Sequence, residues 1–197
     1  MPRQPNVMEI HLPDWTDSFL AGCRDNIPSI RDRMSLVIEA ARGNVSRGTG
    51  GPFAAAVFET ESGKLVSVGV NLVASGRLSF LHAEMVALSL AQMKTGGYDL
   101  GRHGLPAHEL VTSTEPCAMC FGAVLWSGVR RLVIGARGSD ARRIGFDEGP
   151  KKRNWKTELE ARGIAVLRDV ERKAAVRVLR DYRRDGGEIY NARKGKG

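Results

Sequence analysis

Apolar and polar positions recur along the chain with two periods, and each period predicts its own kind of element. Ser29 can cap a helix, and apolar residues over positions 30–41 recur three or four apart, as on one helix face. Residues 53–60 are rich in β-forming side chains, and apolar and small positions alternate over 66–70. These two stretches predict a β-hairpin that follows the first helix.

The remaining chain predicts alternating strands and helices. The expected strands cover residues 109–113, 132–136 and 164–167, and the expected helices cover 80–94, 117–127, 155–162 and 170–184. Residues 137–154 show no clear period, and a loop that long is usually functional. Strands joined through helices should be parallel, and a hairpin is antiparallel. The pattern therefore predicts an α/β fold in three layers, α/β/α, with a mixed five-stranded sheet.

No repeat or low-complexity linker divides this pattern, so we expect one domain over residues 29–185. Residues 1–28 contain four prolines and a small apolar cluster, which indicates an arm that docks through a few large side chains. Residues 186–197 begin with two glycines and form a tail. A terminal segment of this kind frays unless it is tied down.

His82, Cys117 and Cys120 are a candidate metal-ligand set. One imidazole and two thiolates suit zinc, and three protein ligands leave a fourth position for water, as catalytic sites require. All three fall in the first turns of predicted helices, where the helix dipole favours thiolate. Water bound at such a site loses a proton more easily, and Glu84 is placed to take that proton.

A closed structural zinc site is the alternative from a different functional class. It would need a fourth protein ligand, such as His103 or His108, and it would leave Glu84 without a task. The three obvious ligands favour the catalytic interpretation.

Composition and charge add two expectations. With two of three cysteines assigned to metal, no disulfide framework is indicated, and with no apolar run of membrane-spanning length we expect a cytoplasmic protein. Of 30 Lys and Arg residues, 20 lie from Arg130 onward, against 10 Asp and Glu residues there. A basic half can indicate nucleic acid, but the charges interleave with apolar positions, so we favour the solvated face of an amphipathic helix.

The motifs together resemble the cytidine deaminase superfamily, and within it the bacterial guanine deaminases, over roughly residues 29–192. The stretches that carry the resemblance are Gly50-Gly51-Pro52-Phe53, Asn71, His82-Ala83-Glu84, Glu115-Pro116-Cys117-Ala118-Met119-Cys120, Gly122-Ala123-Val124-Leu125-Trp126 and Gly145-Phe146-Asp147-Glu148. The His-x-Glu and Pro-Cys-x-x-Cys pair is the signature of zinc nucleobase deaminases. Because tRNA adenosine deaminases and pyrimidine deaminases share it, it indicates the chemistry but not the substrate.

The resemblance implies a role for each matching residue. One zinc ion per chain would be held by His82, Cys117 and Cys120, with Glu84 shuttling protons and Glu148 as a second acid; Phe53, Asn71, Ala83, Trp126 and Tyr190 would contact the substrate. Phe53 and Trp126 are equally compatible with plain core packing, and Glu148 with a solvated loop.

The implied reaction is the hydrolytic deamination of guanine to xanthine and ammonia, a step of purine catabolism. The alternatives are a related aminated heterocycle (guanosine, a pterin or an aminotriazine) and tRNA adenosine. The resemblance also implies a homodimer in which the tail covers an active site, with possible exchange of tails between subunits. Nucleic acid as a partner is not favoured, and no membrane association is expected.

Overall fold

A computed structural model describes residues 4–193 of the chain. The helices are α1 (Trp15–Ala21), α2 (Ile30–Ser46), α3 (Val73–Gly76), α4 (Ala83–Thr95), α5 (Ala118–Ser127), α6 (Gly138–Ile144), α7 (Trp155–Glu160) and α8 (Arg172–Arg184). The strands are β1 (Ala54–Glu59), β2 (Leu65–Val70), β3 (His108–Thr114), β4 (Arg131–Ala136) and β5 (Ala165–Leu167). Within residues 4–193, no helix has both the length and the apolar composition needed to span a membrane.

The five strands form a single mixed sheet in the order β2-β1-β3-β4-β5. Strand β1 is antiparallel to both β2 and β3, and Ala56 lies opposite Val68 on one side and Val111 on the other. Strands β3, β4 and β5 are mutually parallel, with Val111 opposite Val133. The predicted mixed five-stranded sheet is therefore confirmed.

Helices cover both faces of the sheet, because alternate residues of each strand point to opposite sides. Ala54, Ala56 and Phe58 of β1 belong to one apolar core, which helices α2, α6 and α8 cover. Ala55 and Val57 belong to the second core, which α4, α5 and α7 cover. The structure thus has the three layers expected from the sequence.

Three helices were not predicted. One is the four-residue α3, and the other two are α6 and α1. Helix α6 lies inside residues 137–154, where we expected a loop, and Asp140 in its first turn accepts hydrogen bonds from the backbone N–H of Arg137 and from Arg172, which is 32 residues away. Helix α1 lies in the N-terminal arm, where Trp15 donates to the Thr49 hydroxyl over 3.0 Å. Partners distant in sequence hold α6 and α1, so local periodicity does not reveal them.

The carboxyl ends of β2 and β3 point to the same edge of the sheet. Asn71 follows β2, and Glu115, Pro116 and Cys117 follow β3. Ligand sites in α/β sheets lie outside the carboxyl ends of the strands. The fold therefore brings the residues singled out in the sequence to one place.

Candidate active site

The three candidate metal ligands converge at the starts of two helices. His82 is the N-cap residue of α4, Cys117 is the N-cap residue of α5, and Cys120 lies one turn into α5. His82 Nδ1 is 3.4 Å from Cys117 Sγ and 3.6 Å from Cys120 Sγ. Ligands bound tetrahedrally to zinc at typical Zn–N and Zn–S distances are roughly 3.6 Å apart. The donor set and its spacing therefore fit one zinc ion.

The two thiols titrate as a coupled pair. A hydrogen bond from Cys120, together with one from His82 and against the effect of burial, lowers the pKa of Cys117 to about 4. The pairing with Cys117 and burial raise the pKa of Cys120 well above its usual range. One thiolate is thus already favoured by the protein, and the charge of a divalent metal favours the second.

Glu84 lies in the first turn of α4 and its side chain is almost completely buried. Burial and the negative charge of Cys117 raise the pKa of Glu84, whereas the charge of His82 acts in the opposite direction. A buried carboxyl group whose pKa is raised can both accept and release a proton, which suits it to proton transfer.

A cavity of about 310 Å³ lies next to Glu84 and the metal ligands. Its walls include the metal ligands His82 and Cys117, both acidic candidates, and three of the expected substrate-contacting residues, namely Phe53, Asn71 and Tyr190. Ser79, Thr114 and Phe146, which were not expected there, also line it. Ligand cavities for small molecules begin at about 300 Å³. The size and lining are those of a site for one heterocyclic ring system.

Three aromatic rings form one side of the cavity. The ring of Phe146 packs edge-on against Phe53, with 4.9 Å between centroids, and against Tyr190, with 5.1 Å. Such edge-to-face contacts hold aromatic rings in defined orientations. Phe53 is therefore held as a platform for a planar ligand.

Tyr190 belongs to the C-terminal tail and lies at the cavity of its own chain. Asn191 fixes the tail there, because its side chain accepts from the backbone N–H of Asp147 over 2.8 Å and donates to the carbonyl of Gly145 over 2.8 Å. The Tyr190 hydroxyl is buried and has no hydrogen-bond partner among residues 4–193. Burial raises its pKa well above the usual range, so the phenol is neutral and free to pair with a ligand.

The tail thus lies over the cavity of its own chain in this structure, and the exchange of tails between subunits stays a prediction. Residues 194–197 of the predicted tail, and residues 1–3 of the predicted arm, lie outside the described residues.

Asn71 is buried at the end of β2 and is positioned by a chain of polar side chains. Its side-chain oxygen accepts from the backbone N–H of Val73 over 3.3 Å, which is the turn contact common for Asn. The amide of Asn44 donates to the main-chain carbonyls of Asn71 and Gly51, over 2.9 Å each. Thr49 donates to the side-chain oxygen of Asn44 over 2.7 Å and accepts from Trp15, so the chain of contacts extends to the arm.

Glu148 lies on the segment that follows α6, and this segment is tied to the metal-binding helix. The carbonyl of Glu148 accepts from the backbone N–H of Ala118 over 2.9 Å, and the next residue, Gly149, has a positive φ of 67° that favours glycine. The Glu148 side chain is buried, and one of its carboxyl oxygens has no hydrogen-bond partner within the described part of the chain.

The environment of Glu148 favours its protonated form. Burial and the charges of Cys117 and Glu84 raise its pKa to about 8, against the effects of Lys151 and Arg142. A zinc ion nearby would favour the carboxylate, as these two cations do.

Two expected substrate-contacting residues lie elsewhere. Trp126 is 82% exposed and does not line the cavity, because Cys120 and Val124 direct α5 inward and Trp126 is on the opposite side of that helix. Trp126 therefore lies neither in the core nor in the cavity lining of this chain. Ala83 is fully buried in the apolar core beneath the sheet edge rather than in the cavity lining.

The structure provides no fourth protein ligand near the metal set within residues 4–193. His108, one of the two residues considered for that role, is buried in β3 with Nδ1 2.9 Å from the carbonyl of Leu100. The closed structural site therefore lacks support.

Sequence reasoning missed Phe146 and Asn44. Phe146 was part of the Gly-Phe-Asp-Glu stretch, but its role as the ring between Phe53 and Tyr190 depends on the tail. Asn44 is fully buried on the core-facing side of α2, and a polar residue among the apolar positions of a helix is the signal that could have revealed it.

Comparisons with known proteins agree with this geometry. Residues 29–136 match the profile of the cytidine and deoxycytidylate deaminase zinc-binding region. The chain is 35% identical over 115 residues to guanine deaminase from Bacillus subtilis, an alignment that covers 58% of this chain and 69% of that protein.

Two solved structures are similar over almost the whole chain. Guanine deaminase from Nitrosomonas europaea is 49% identical, with 93% of this chain and 100% of that chain covered and a TM-score of 0.87. A structure in complex with 2,6-diaminopurine is 51% identical, with 95% and 98% covered and a TM-score of 0.88. The match to the zinc-binding region and the fit of His82, Cys117 and Cys120 to one zinc ion both indicate a zinc-binding deaminase domain. The chain belongs to the cytidine and deoxycytidylate deaminase family.

Proposed function

We propose that the protein is a zinc-dependent aminohydrolase that converts guanine and water to xanthine and ammonia. The observation that carries the proposal is the convergence of Glu84 and the metal set on one small cavity that has three aromatic rings in its wall. The similarity to two guanine deaminases supports guanine as the substrate.

Four residues of the cavity then have defined tasks in the reaction. Zinc, when bound, supplies a water of lowered pKa and so a nucleophile near neutral pH. Glu84 takes the proton from this water and delivers it to the ring nitrogen next to the carbon under attack. Phe53 stacks on the base, and Asn71 hydrogen-bonds its edge. Glu148 donates a proton to the departing amine.

The cavity favours a free base over larger substrates. Tyr190 and Asn191 of the tail line it, so little room remains for a ribose or a polynucleotide. A deaminase acting on RNA would need an open path for the strand and contacts to its phosphates. Pterins and aminotriazines, which are similar in size to guanine, are the remaining alternatives.

We further propose that the protein is a homodimer. Helix α5 buries only Cys120, Val124 and Ser127, although almost all of its residues are apolar. Met119 and Trp126 are exposed, and a Cβ at Gly122 would meet nothing within 4 Å. An apolar helix face of this kind suits burial against a second copy of the chain.

The function is tested by measuring ammonia release from a panel of guanine, guanosine, a pterin, an aminotriazine and a tRNA anticodon stem-loop. We expect guanine to give the highest kcat/KM and to yield stoichiometric xanthine. Inosine formation in the tRNA, without xanthine from guanine, would overturn the proposal. A higher kcat/KM for the triazine or the pterin would keep the chemistry and replace the substrate.

A further inference from the structure

A second cavity, of about 370 Å³, adjoins the catalytic one. The two share Glu115 and Gly149 as wall residues. We call this cavity the Arg142 cleft. Six cationic side chains line it, namely Arg137, Arg142, Lys151, Lys152, Arg153 and Arg168, and Glu115 is the one acidic residue among its lining residues. None of these cations contacts the substrate in the proposed reaction.

Some of these charges are already compensated. Glu115 accepts from Lys151 over 2.6 Å and from Arg168 over 3.0 Å. Arg137 forms two hydrogen bonds of 2.8 Å with Asp169. Three of the six cations are therefore paired with acids of the same chain.

Two of the arginines are left over. Arg142 and Arg153 form no ion pair within residues 4–193, and both are exposed. Lys152 has only a 3.4 Å contact with Glu158, and both side chains are substantially solvated, so this pair is weak. The cleft therefore has uncompensated positive charge on a concave surface.

The cleft is held in shape on one side by Trp155. Lys151 and Arg168 both lie over the Trp155 ring, at 4.8 and 5.4 Å from its centroid. Because cation–π contacts and the shared Glu115 fix these two cations, they form a rigid positive wall. The unpaired Arg142 and Arg153 complete a site that an anion can enter.

We propose that the Arg142 cleft binds a phosphate group, either of orthophosphate or of a small phosphorylated molecule. A guanidinium presents a planar fork of donors that matches phosphate oxygens, and here two unpaired guanidinium groups line one cavity. The Ser139 side chain, which also lines the cleft, adds a hydroxyl donor. The volume suits a small molecule rather than a polymer.

An anion bound in the Arg142 cleft would affect the catalytic cavity. Lys151 donates not only to Glu115 but also, over 2.7 Å, to the carbonyl of Pro116, the residue before the metal ligand Cys117. An anion that forms an ion pair with Lys151 changes the strength of the hydrogen bond that holds the segment before Cys117. We therefore expect an occupied cleft to change the KM for the deaminase substrate.

Calorimetric titration of the zinc-loaded protein with orthophosphate, and separately with ribose 5-phosphate, tests the proposal without any assay of activity. We expect saturable binding of one anion per chain. Arg142→Gln and Arg153→Gln should each weaken binding about tenfold, because each removes one charge-assisted contact. Arg24→Gln removes the same charge from an exposed arginine of the arm and should bind as the parent does.

The two ligands distinguish the sources of the phosphate group. Tighter binding of ribose 5-phosphate indicates a phosphorylated molecule, whereas equal affinities indicate orthophosphate itself. Absence of saturable binding would overturn the proposal. So would equal weakening in Arg24→Gln, since binding would then follow net charge, or unchanged affinity in both cleft variants. Because deamination is not measured, these outcomes are independent of the substrate.

Discussion

At the scale of single residues, the site combines a carboxyl group kept from water with ligands that are held in place by helix starts. Glu84 is buried, and its raised pKa reflects the unfavourable transfer of a charge into the interior. The free-energy cost of burying this carboxylate thus falls at the position where the proposed proton transfer occurs.

Glu84→Gln is expected to retain zinc and to lose turnover by about 10²–10⁴-fold, because an amide cannot accept the proton from water. Metal analysis and ammonia release measure the two properties. Glu61→Gln, on the exposed hairpin turn, is the matched control and should behave as the parent. If Glu84→Gln holds stoichiometric zinc and turns over at a near-parental rate, Glu84 has no part in the mechanism.

Gly51→Ala is expected to raise the KM for guanine about tenfold, a loss of about 1.4 kcal/mol of binding. A Cβ at this position would lie 2.6 Å from the Tyr190 hydroxyl and 3.2 Å from the side-chain oxygen of Asn71, so both would shift. Gly22→Ala, where a Cβ meets only ordinary contacts, is the control. Steady-state kinetics decide, and an unchanged KM would show that neither group contacts the substrate.

Sequence spacing predicted His82, Cys117 and Cys120 as one metal-ligand set, because two short motifs at helix starts dictate their geometry. The structure groups these three residues, and Glu84 lines the same cavity as His82 and Cys117. Sequence spacing did not place Trp126, because the direction of a side chain on α5 depends on which helix face the core takes. The sequence also did not predict which residues Tyr190 contacts. Tyr190 packs against Phe146, and the neighbouring Asn191 bonds to Asp147, so the tail contacts a segment more than 40 residues away.

At the scale of elements, strands and long helices follow from local periodicity, but the short helices α1 and α6 are held by partners distant in sequence. Helix α6 illustrates this dependence, because Asp140 in its first turn is buried and accepts hydrogen bonds of 2.9 Å from two nitrogens of Arg172 in α8. The hydrogen bonds from Arg172 lower the pKa of Asp140, against the effect of burial.

Asp140→Asn is expected to destabilise the fold by about 2–3 kcal/mol near neutral pH, because charge-assisted hydrogen bonds at a buried group are lost. A depressed folded-state pKa stabilises the protein above the unfolded value, near pH 4, and this contribution disappears as the pH falls through the folded pKa. The parent and variant should therefore converge in acid. Urea unfolding at several pH values measures this difference.

Asp185→Asn, at an exposed pair with Arg184, is the control for that series and should change little. A stability difference for Asp140→Asn that stays constant from neutral to acid pH would contradict the assigned pairing.

The exposed face of α5 makes a separate prediction about assembly. Trp126→Glu should convert a dimer to a monomer, because a carboxylate would have to be buried in an apolar interface. Tyr98→Glu alters another highly exposed aromatic residue and should leave the dimer intact. Light scattering after gel filtration distinguishes the two, and a monomeric parent protein would refute the dimer outright.

At the scale of the whole molecule, the tail lines the catalytic cavity, whereas the arm is connected to it only through hydrogen bonds. Trp15 of the arm donates to Thr49, which donates to Asn44 of α2, and the tail contributes Tyr190 and Asn191 directly. The sequence predicted an arm and a tail from proline and glycine content, but composition does not reveal where either end docks.

Truncation after Gly187 is expected to lower kcat/KM for guanine by at least about tenfold, because water enters the cavity and the Tyr190 contacts are lost. Zinc content and unfolding temperature serve as controls for the integrity of the metal site and of the fold. Unchanged kinetic constants would leave the tail without a role in catalysis.

The positions of the three tryptophans have an optical consequence. Trp15 belongs to the hydrogen-bonded chain that ends at Asn71, Trp126 lies on the exposed face of α5, and Trp155 underlies the cations of the Arg142 cleft. Indole fluorescence shifts to shorter wavelength when the ring leaves water and is quenched or enhanced by nearby charge. Three variants that each keep one tryptophan, with Phe at the other two positions, would give separate spectroscopic signals for arm docking, subunit association and anion binding.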